Sequence, residues 1–174
     1  MESFLDPDKI LNEIELRNDM IAAEFGCGAG TISLALAKKI REGKVYGLDV
    51  QEEPLSALMG RAKQERISNI ETIRCNLEKE GGSTLPDSFL DLVLFPNVLF
   101  QAEDRMAMFK EGVRILKKEG RALIIDWKKD SPLGPKEKGI SITEVKNMAE
   151  GLGLSLEKEF SAGTFHYGLI FKKV

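Results

Sequence analysis

Between Ala22 and Thr31 the chain reads Ala-Ala-Glu-Phe-Gly-Cys-Gly-Ala-Gly-Thr, so that a carboxylate, Glu24, precedes glycines at Gly26, Gly28 and Gly30. Apolar residues lead into this run and a helical pattern follows it, which puts the glycines where a strand turns into a helix. Glycine lacks Cβ, so such a loop can turn sharply and bring its backbone against a ligand, while the helix beyond offers unpaired N–H groups. A second acidic segment, Tyr46-Gly-Leu-Asp49, ends the next apolar run. Its spacing is that of a carboxylate accepting hydrogen bonds from a ribose diol. The chemistry implied is the binding of a nucleoside cofactor. A dinucleotide fingerprint, G-x-G-x-x-G, anchored on Gly26 and Gly28 would need its third glycine at Thr31, and no Gly-Lys-Ser/Thr run completes a phosphate loop.

Further motifs follow. Asp91-Leu-Val-Leu-Phe-Pro-Asn-Val reads as a fourth strand, and Arg114-Ile-Leu-Lys-Lys-Glu-Gly-Arg-Ala-Leu-Ile-Ile-Asp-Trp127 as a turn leading into a fifth. With its E-x-G-x-G-x-G spacing and Asp49, the chain resembles the class I S-adenosylmethionine-dependent methyltransferases over nearly its whole length. The closing His166-Tyr167-Gly168 is similar to the small branch near the ubiquinone-biosynthesis and arsenite methyltransferases. The resemblance implies an α/β fold, a Rossmann-like doubly wound, mostly parallel seven-stranded sheet ordered 3-2-1-4-5-7-6 with strand 7 antiparallel. It implies S-adenosylmethionine as cofactor, bound by Glu24, Gly26, Gly28, Gly30 and Asp49. Glu24 would hold either the glycine-loop amides or the methionine amino group. Val50 and Leu77 would wall the adenine, though both also suit ordinary core packing, and Asn76 would accept from the adenine amino group where the family often has Asp.

The activity so implied is methyl transfer to an oxygen, carbon or nitrogen of a small molecule. The same residues would equally serve a non-catalytic S-adenosylmethionine-binding module or one subunit of a methyltransferase complex, whereas the glycine spacing disfavours a nicotinamide-dependent oxidoreductase. An activated methyl donor asks mainly for alignment in a site with little water, so no catalytic residue is obligatory. Phe95-Pro96-Asn97-Val98 lacks the order and aromatic of the Asn/Asp-Pro-Pro-Tyr/Phe run that serves planar nitrogens, and the two cysteines are misplaced for arsenite chemistry. His166 is the only histidine, and its ordinary pKa of about 6.5 would suit a general base. A half-buried strand position accounts for it better. Trp127 and Tyr167, near strand ends, could line a substrate pocket but read better as core aromatics. Lys128, Lys129, Lys136 and Lys138 read as a solvated loop that could also steer an anionic substrate.

At 174 residues the chain suits one domain, 1–174, burying roughly 70% of its unfolded surface. Cys27 and Cys75 show no C-x-x-C or Cys/His spacing, so we expect reduced thiols, no metal site and a cytoplasmic location. No 18-residue apolar run suggests a membrane span, and a net charge of −3 argues against general nucleic-acid binding. Residues 1–18 should hold an N-terminal helix, opened by Asp6-Pro7 and running to about Leu16; Phe4 and Leu5 before it are either a lid over the cofactor or a frayed terminus. That helix, the Lys128–Ser141 loop and a second copy in a homo-oligomer could complete the substrate pocket. Strands are expected at 20–25, 44–49, 69–75, 90–96 and 120–126. Helices are expected at 30–42, 53–66, 102–117 and 142–151, the last with a Ser141/Glu144 capping box. Ser155–Phe160 and His166–Lys172 should form a hairpin across Ser161-Ala-Gly-Thr164.

Overall fold

The computed structural model describes residues 5–174. Seven strands form one sheet: β1 (Ile21–Phe25), β2 (Lys44–Asp49), β3 (Ile70–Arg74), β4 (Leu90–Pro96), β5 (Leu116–Trp127), β6 (Leu154–Ser161) and β7 (His166–Lys173). Their order is 3-2-1-4-5-7-6, with β1–β5 parallel and β7 antiparallel to both β5 and β6, as expected. Helices α1 (Pro7–Leu11), α2 (Thr31–Lys39), α3 (Glu52–Gln64), α4 (Arg105–Ile115) and α5 (Ile142–Gly151) connect the strands, together with a short 3-10 turn at Leu99–Gln101.

Strand alternation divides the core between two faces. Ala22, Val45, Leu92, Leu94 and Ile125 pack with α1, α2 and α3, while Ala23, Phe25, Val93, Phe95 and Ile124 pack with α4 and α5. Phe95 is the centre of the second face, within tilted or edge-on ring contact of Phe25 and Phe109 at 4.8 and 5.3 Å. The same alternation puts Glu24 on the α2 side of β1. Because all five parallel strands end at one edge, Glu24, Asp49, Asn76, Pro96-Asn97 and Asp126-Trp127 gather there, and antiparallel β7 begins there with His166.

Two elements depart from expectation. The first helix stops at Leu11, where Asn12, whose side chain competes for backbone hydrogen bonds, forms its C-cap; Ile14 still turns inward and is buried. Its start is as read, since Asp6 accepts from the Asp8 and Lys9 amides. β5 begins at Leu116 rather than near 120. Leu90 pairs with Leu116 and Leu92 with Arg121, so residues 117–120 bulge out of the ladder, with Glu119 at φ 68°. The expected turn is a bulge inside the strand. The Ser141 cap accepts from the Glu144 amide at 3.1 Å, but the Glu144 carboxylate reaches Arg105 instead of closing the box.

Candidate functional site

The three loop glycines are required for two different reasons. All have positive φ, at 66°, 53° and 77°, a region that side chains disfavour. A Cβ on Gly26 would lie 2.6 Å from Val98 Cγ2, and one on Gly30 would lie 2.1 Å from Leu58 Cδ1. A Cβ on Gly28 would meet nothing within 4 Å. Protein packing therefore explains the outer two, while the middle one faces open space in which a ligand can approach the backbone. Leu58, fully buried on α3, also stands where a Cβ on Gly47 would go, and so lets the loop and β2 close around it. Its role has no local sequence signal.

Asp49 and Glu24 divide the polar work. Asp49 Oδ2 accepts the Gly28 N–H at 3.0 Å and Oδ1 accepts the Gln51 N–H at 3.0 Å. Each carboxylate oxygen keeps a second lone pair, so the group that fixes the loop can still take hydroxyl donors. Glu24 bonds the Ser33 hydroxyl of α2 and not the loop amides. It is 3% exposed yet lines a groove of ≈ 300 Å³ with Leu5, Pro7, Gly26, Ile32, Pro96 and Asn97 among its walls. That volume lies at the low end of small-molecule sites. Burial pushes the Glu24 carboxyl up to about 8 against the opposing pull of Ser33. An ammonium group entering the groove would reverse that penalty. α2 starts at Gly30 without a side-chain cap, leaving amides and the positive helix end for a carboxylate. These features fit an amino-acid-bearing nucleoside such as S-adenosylmethionine.

The three residues expected at the adenine separate. Val50, just past β2, is 59% exposed, an apolar surface free to cover a base, and its carbonyl is held by Arg74. Leu77 is buried and packs in the α4–α5 core. Asn76 is exposed, and its Oδ1 already accepts the Glu78 N–H at 2.9 Å, closing a local turn. The 300 Å³ groove reaches Glu24, Gly26, Gly30 and Asn97 but not Asp49, Val50, Asn76 or Leu77.

Beyond Asn97 the edge continues as a second, larger groove of ≈ 530 Å³, walled by Phe100, Gln101, Pro135, Lys136, Glu137 and Lys138. Gln101 joins the two grooves by donating to the Asn97 carbonyl at 2.6 Å. Asp126, fully buried, accepts the Phe100 N–H at 3.3 Å and the Trp127 N–H at 2.8 Å. It thereby ties the 3-10 turn to the end of β5, and its burial raises the carboxyl to about 7. His166 is fully buried, not half-buried; its Nε2 lies 3.1 Å from Asn97 Nδ2 and its ring centroid 4.2 Å from that of Trp127. Burial and nearby Lys128 lower it to about 4, leaving the ring neutral near pH 7. Lys128 does not project into solution: its ammonium donates to Ser161 Oγ and to the Gly163 and Thr164 carbonyls. Tyr167 donates to the Ile140 carbonyl at 2.9 Å and anchors the end of the loop after β5.

Comparison with known proteins agrees with this geometry. The model of a family described as "Methyltransferase domain" matches residues 16–163. A solved S-adenosylmethionine-dependent methyltransferase from Aquifex aeolicus is 28% identical, superposes with a TM-score of 0.88 and shares 98% of this chain and 90% of its own. Demethylmenaquinone methyltransferases of Geobacillus stearothermophilus and Bacillus licheniformis are 26% and 28% identical, covering 72% and 75% of this chain and 53% and 54% of theirs. The chain thus spans about half the length of the curated relatives it matches. With a glycine loop, a strand-end carboxylate and a seven-stranded sheet all of the expected kind, the chain belongs to the methyltransferase domain family, within the class I S-adenosylmethionine-dependent methyltransferases.

Proposed function

We propose that the protein transfers the methyl group of S-adenosylmethionine to an oxygen, carbon or nitrogen nucleophile of a small molecule. The observation that carries this reading is the loop itself: Gly28 opens toward free space while its amide is pinned by Asp49, and Glu24 lies buried in the adjoining groove. In it Asp49 holds the ribose, Val50 and Asn76 the adenine, and Glu24 with the α2 N-terminus the amino-acid end; Gly26 and Gly30 shape the loop, and Leu77 supports it from the core. When bound, S-adenosylmethionine would supply a methyl on positively charged sulfur, open to attack by the acceptor's lone pair with the carbon–sulfur pair returning to sulfur; any acceptor proton would pass to bulk solvent. The chain's own task is alignment and exclusion of water. Pro96 and Asn97 wall the cofactor groove, and Asn97 bonds to Gln101 of the larger groove, which we assign to the acceptor. Leu5 and Pro7 wall the cofactor groove, in keeping with a lid at the N-terminus; Phe4 lies outside the described residues.

We further infer a single domain and a cytoplasmic setting in which Cys27 and Cys75 stay free thiols. Among the described residues no helix is long and apolar enough to cross a membrane. The test is tritiated methyl transfer from S-adenosylmethionine into a metabolite extract, with product mass identifying the acceptor. Label should appear in a small product; cofactor binding without any transfer would point instead to a non-catalytic binding module.

A further inference from the structure

Asn97 is restrained at every backbone and side-chain group but one. It has φ 52°, a conformation non-glycine residues adopt at a cost and retain at functional sites. Its N–H donates to the Ile125 carbonyl at 2.8 Å, and its own carbonyl accepts from Gln101. Its Nδ2 pairs with His166 Nε2. What remains is Oδ1, buried with no partner, on a residue that walls the cofactor groove and bonds to Gln101 of the next. Buried polar atoms are almost always paired, so an orphaned amide oxygen on a residue that walls one groove and bonds to the wall of the next marks a place for an incoming donor.

The amide orientation in turn sets the ring tautomer. Because Asn97 Nδ2 carries only donors, His166 Nε2 must be the acceptor, and the ring proton then sits on Nδ1, also buried and without a partner. Fully buried against Trp127 and walling neither groove, the ring does not itself meet an acceptor molecule, whereas Asn97 walls the cofactor groove. We propose that His166 is a positioning residue: it fixes the Asn97 amide so that Oδ1 accepts a hydrogen bond from the methyl acceptor, which must carry an O–H or N–H at or beside the atom that is methylated. This rests on the transfer activity proposed above.

The single histidine makes the ring directly readable. A long-range 1H–15N spectrum of the uniformly labelled protein at pH 7 should show a neutral ring protonated on Nδ1, with an Nε2 signal that moves in Asn97→Ala. Tritium incorporation into the metabolite extract should fall about three- to tenfold in His166→Phe, the loss expected for one neutral hydrogen bond. His166→Gln, which keeps an acceptor oxygen, should recover part of it. The His166→Phe/Asn97→Ala double variant should be no slower than Asn97→Ala alone, because one residue acts through the other. S-adenosylhomocysteine affinity, measured by calorimetry, should be unchanged in His166→Phe and His166→Gln, since His166 walls neither groove. A proton on Nε2, additive losses in the double variant, or wild-type transfer by His166→Phe would each overturn the proposal. Absence of transfer by the wild-type protein would instead overturn the activity, and the ring spectrum would still decide the role of His166.

Discussion

At Gly28 two demands meet on one residue, a φ of 53° and the empty space where a Cβ would lie. Gly28→Val should cost about 1–3 kcal/mol of stability through strain, yet remove the rise in melting temperature that S-adenosylhomocysteine gives the wild type, since bound ligand stabilises only a protein that can bind it. A full ligand-dependent shift in the variant would place the cofactor elsewhere. Glu24 is the other residue whose behaviour is diagnostic. Its carboxyl, at about 8, is mostly protonated at pH 7 in the free protein, and an ammonium bound beside it would favour the ionised form. Binding of S-adenosylhomocysteine should therefore release close to one proton at pH 7. Calorimetric enthalpies in phosphate and in Tris should differ accordingly for wild type and agree for Glu24→Gln. Equal enthalpies in the wild type would separate Glu24 from the amino group.

The elements that present these residues depend on contacts far apart in sequence. The segment from Leu77 to Phe89 has neither strand nor helix, and Glu111 of α4 holds it in place. This buried carboxylate accepts from the Gly81 and Ser83 amides, the Ser83 hydroxyl and the Arg114 guanidinium. These partners outweigh the burial penalty and hold its carboxyl down to about 2. Glu111→Gln should destabilise the protein by about 2–3 kcal/mol at pH 7, the scale of lost charge-assisted hydrogen bonds. With the folded pKa below the unfolded value, that stability is present above about pH 4.5 and lost as pH falls toward 2, so the two proteins should converge in acid. Urea midpoints at pH 7 and pH 3 check this; equal midpoints at pH 7 would deny Glu111 its anchoring role. The local elements were legible because their signals are local: β2 and β4 have the expected bounds, and α5 begins after its serine cap. The β5 bulge was not, because it is set by pairing with β4, and the Leu58 plug and the Asn97–His166 pair join residues brought together only by the sheet.

For the whole molecule, the buried groups at the sheet edge oppose one another in pH. Glu24 and Asp126 have folded values of about 8 and about 7, above their ordinary ones, so the stability they permit is full in acid and lost as pH rises through that range. His166, lowered to about 4, acts in the opposite sense between pH 6.5 and 4, and Glu111 does so further down. Two carboxyls outweigh one imidazole, so the unliganded protein should resist urea better at about pH 5 than at pH 8; a higher midpoint at pH 8 would contradict the buried, protonated edge. The sheet order was readable only through resemblance to a known family, since strand order is a property of the assembled chain, whereas the glycine loop and Asp49 were readable outright. The resulting account stands on that loop and carboxylate holding S-adenosylmethionine. Its most direct test is calorimetric titration of S-adenosylhomocysteine, and of NAD, into the wild-type protein and Asp49→Ala. Micromolar binding of the homocysteine nucleoside, none comparable of NAD, and a loss of about 1.5–3 kcal/mol in the folded variant are the predicted results; tighter binding of NAD, or an affinity unchanged by removing Asp49, would contradict it.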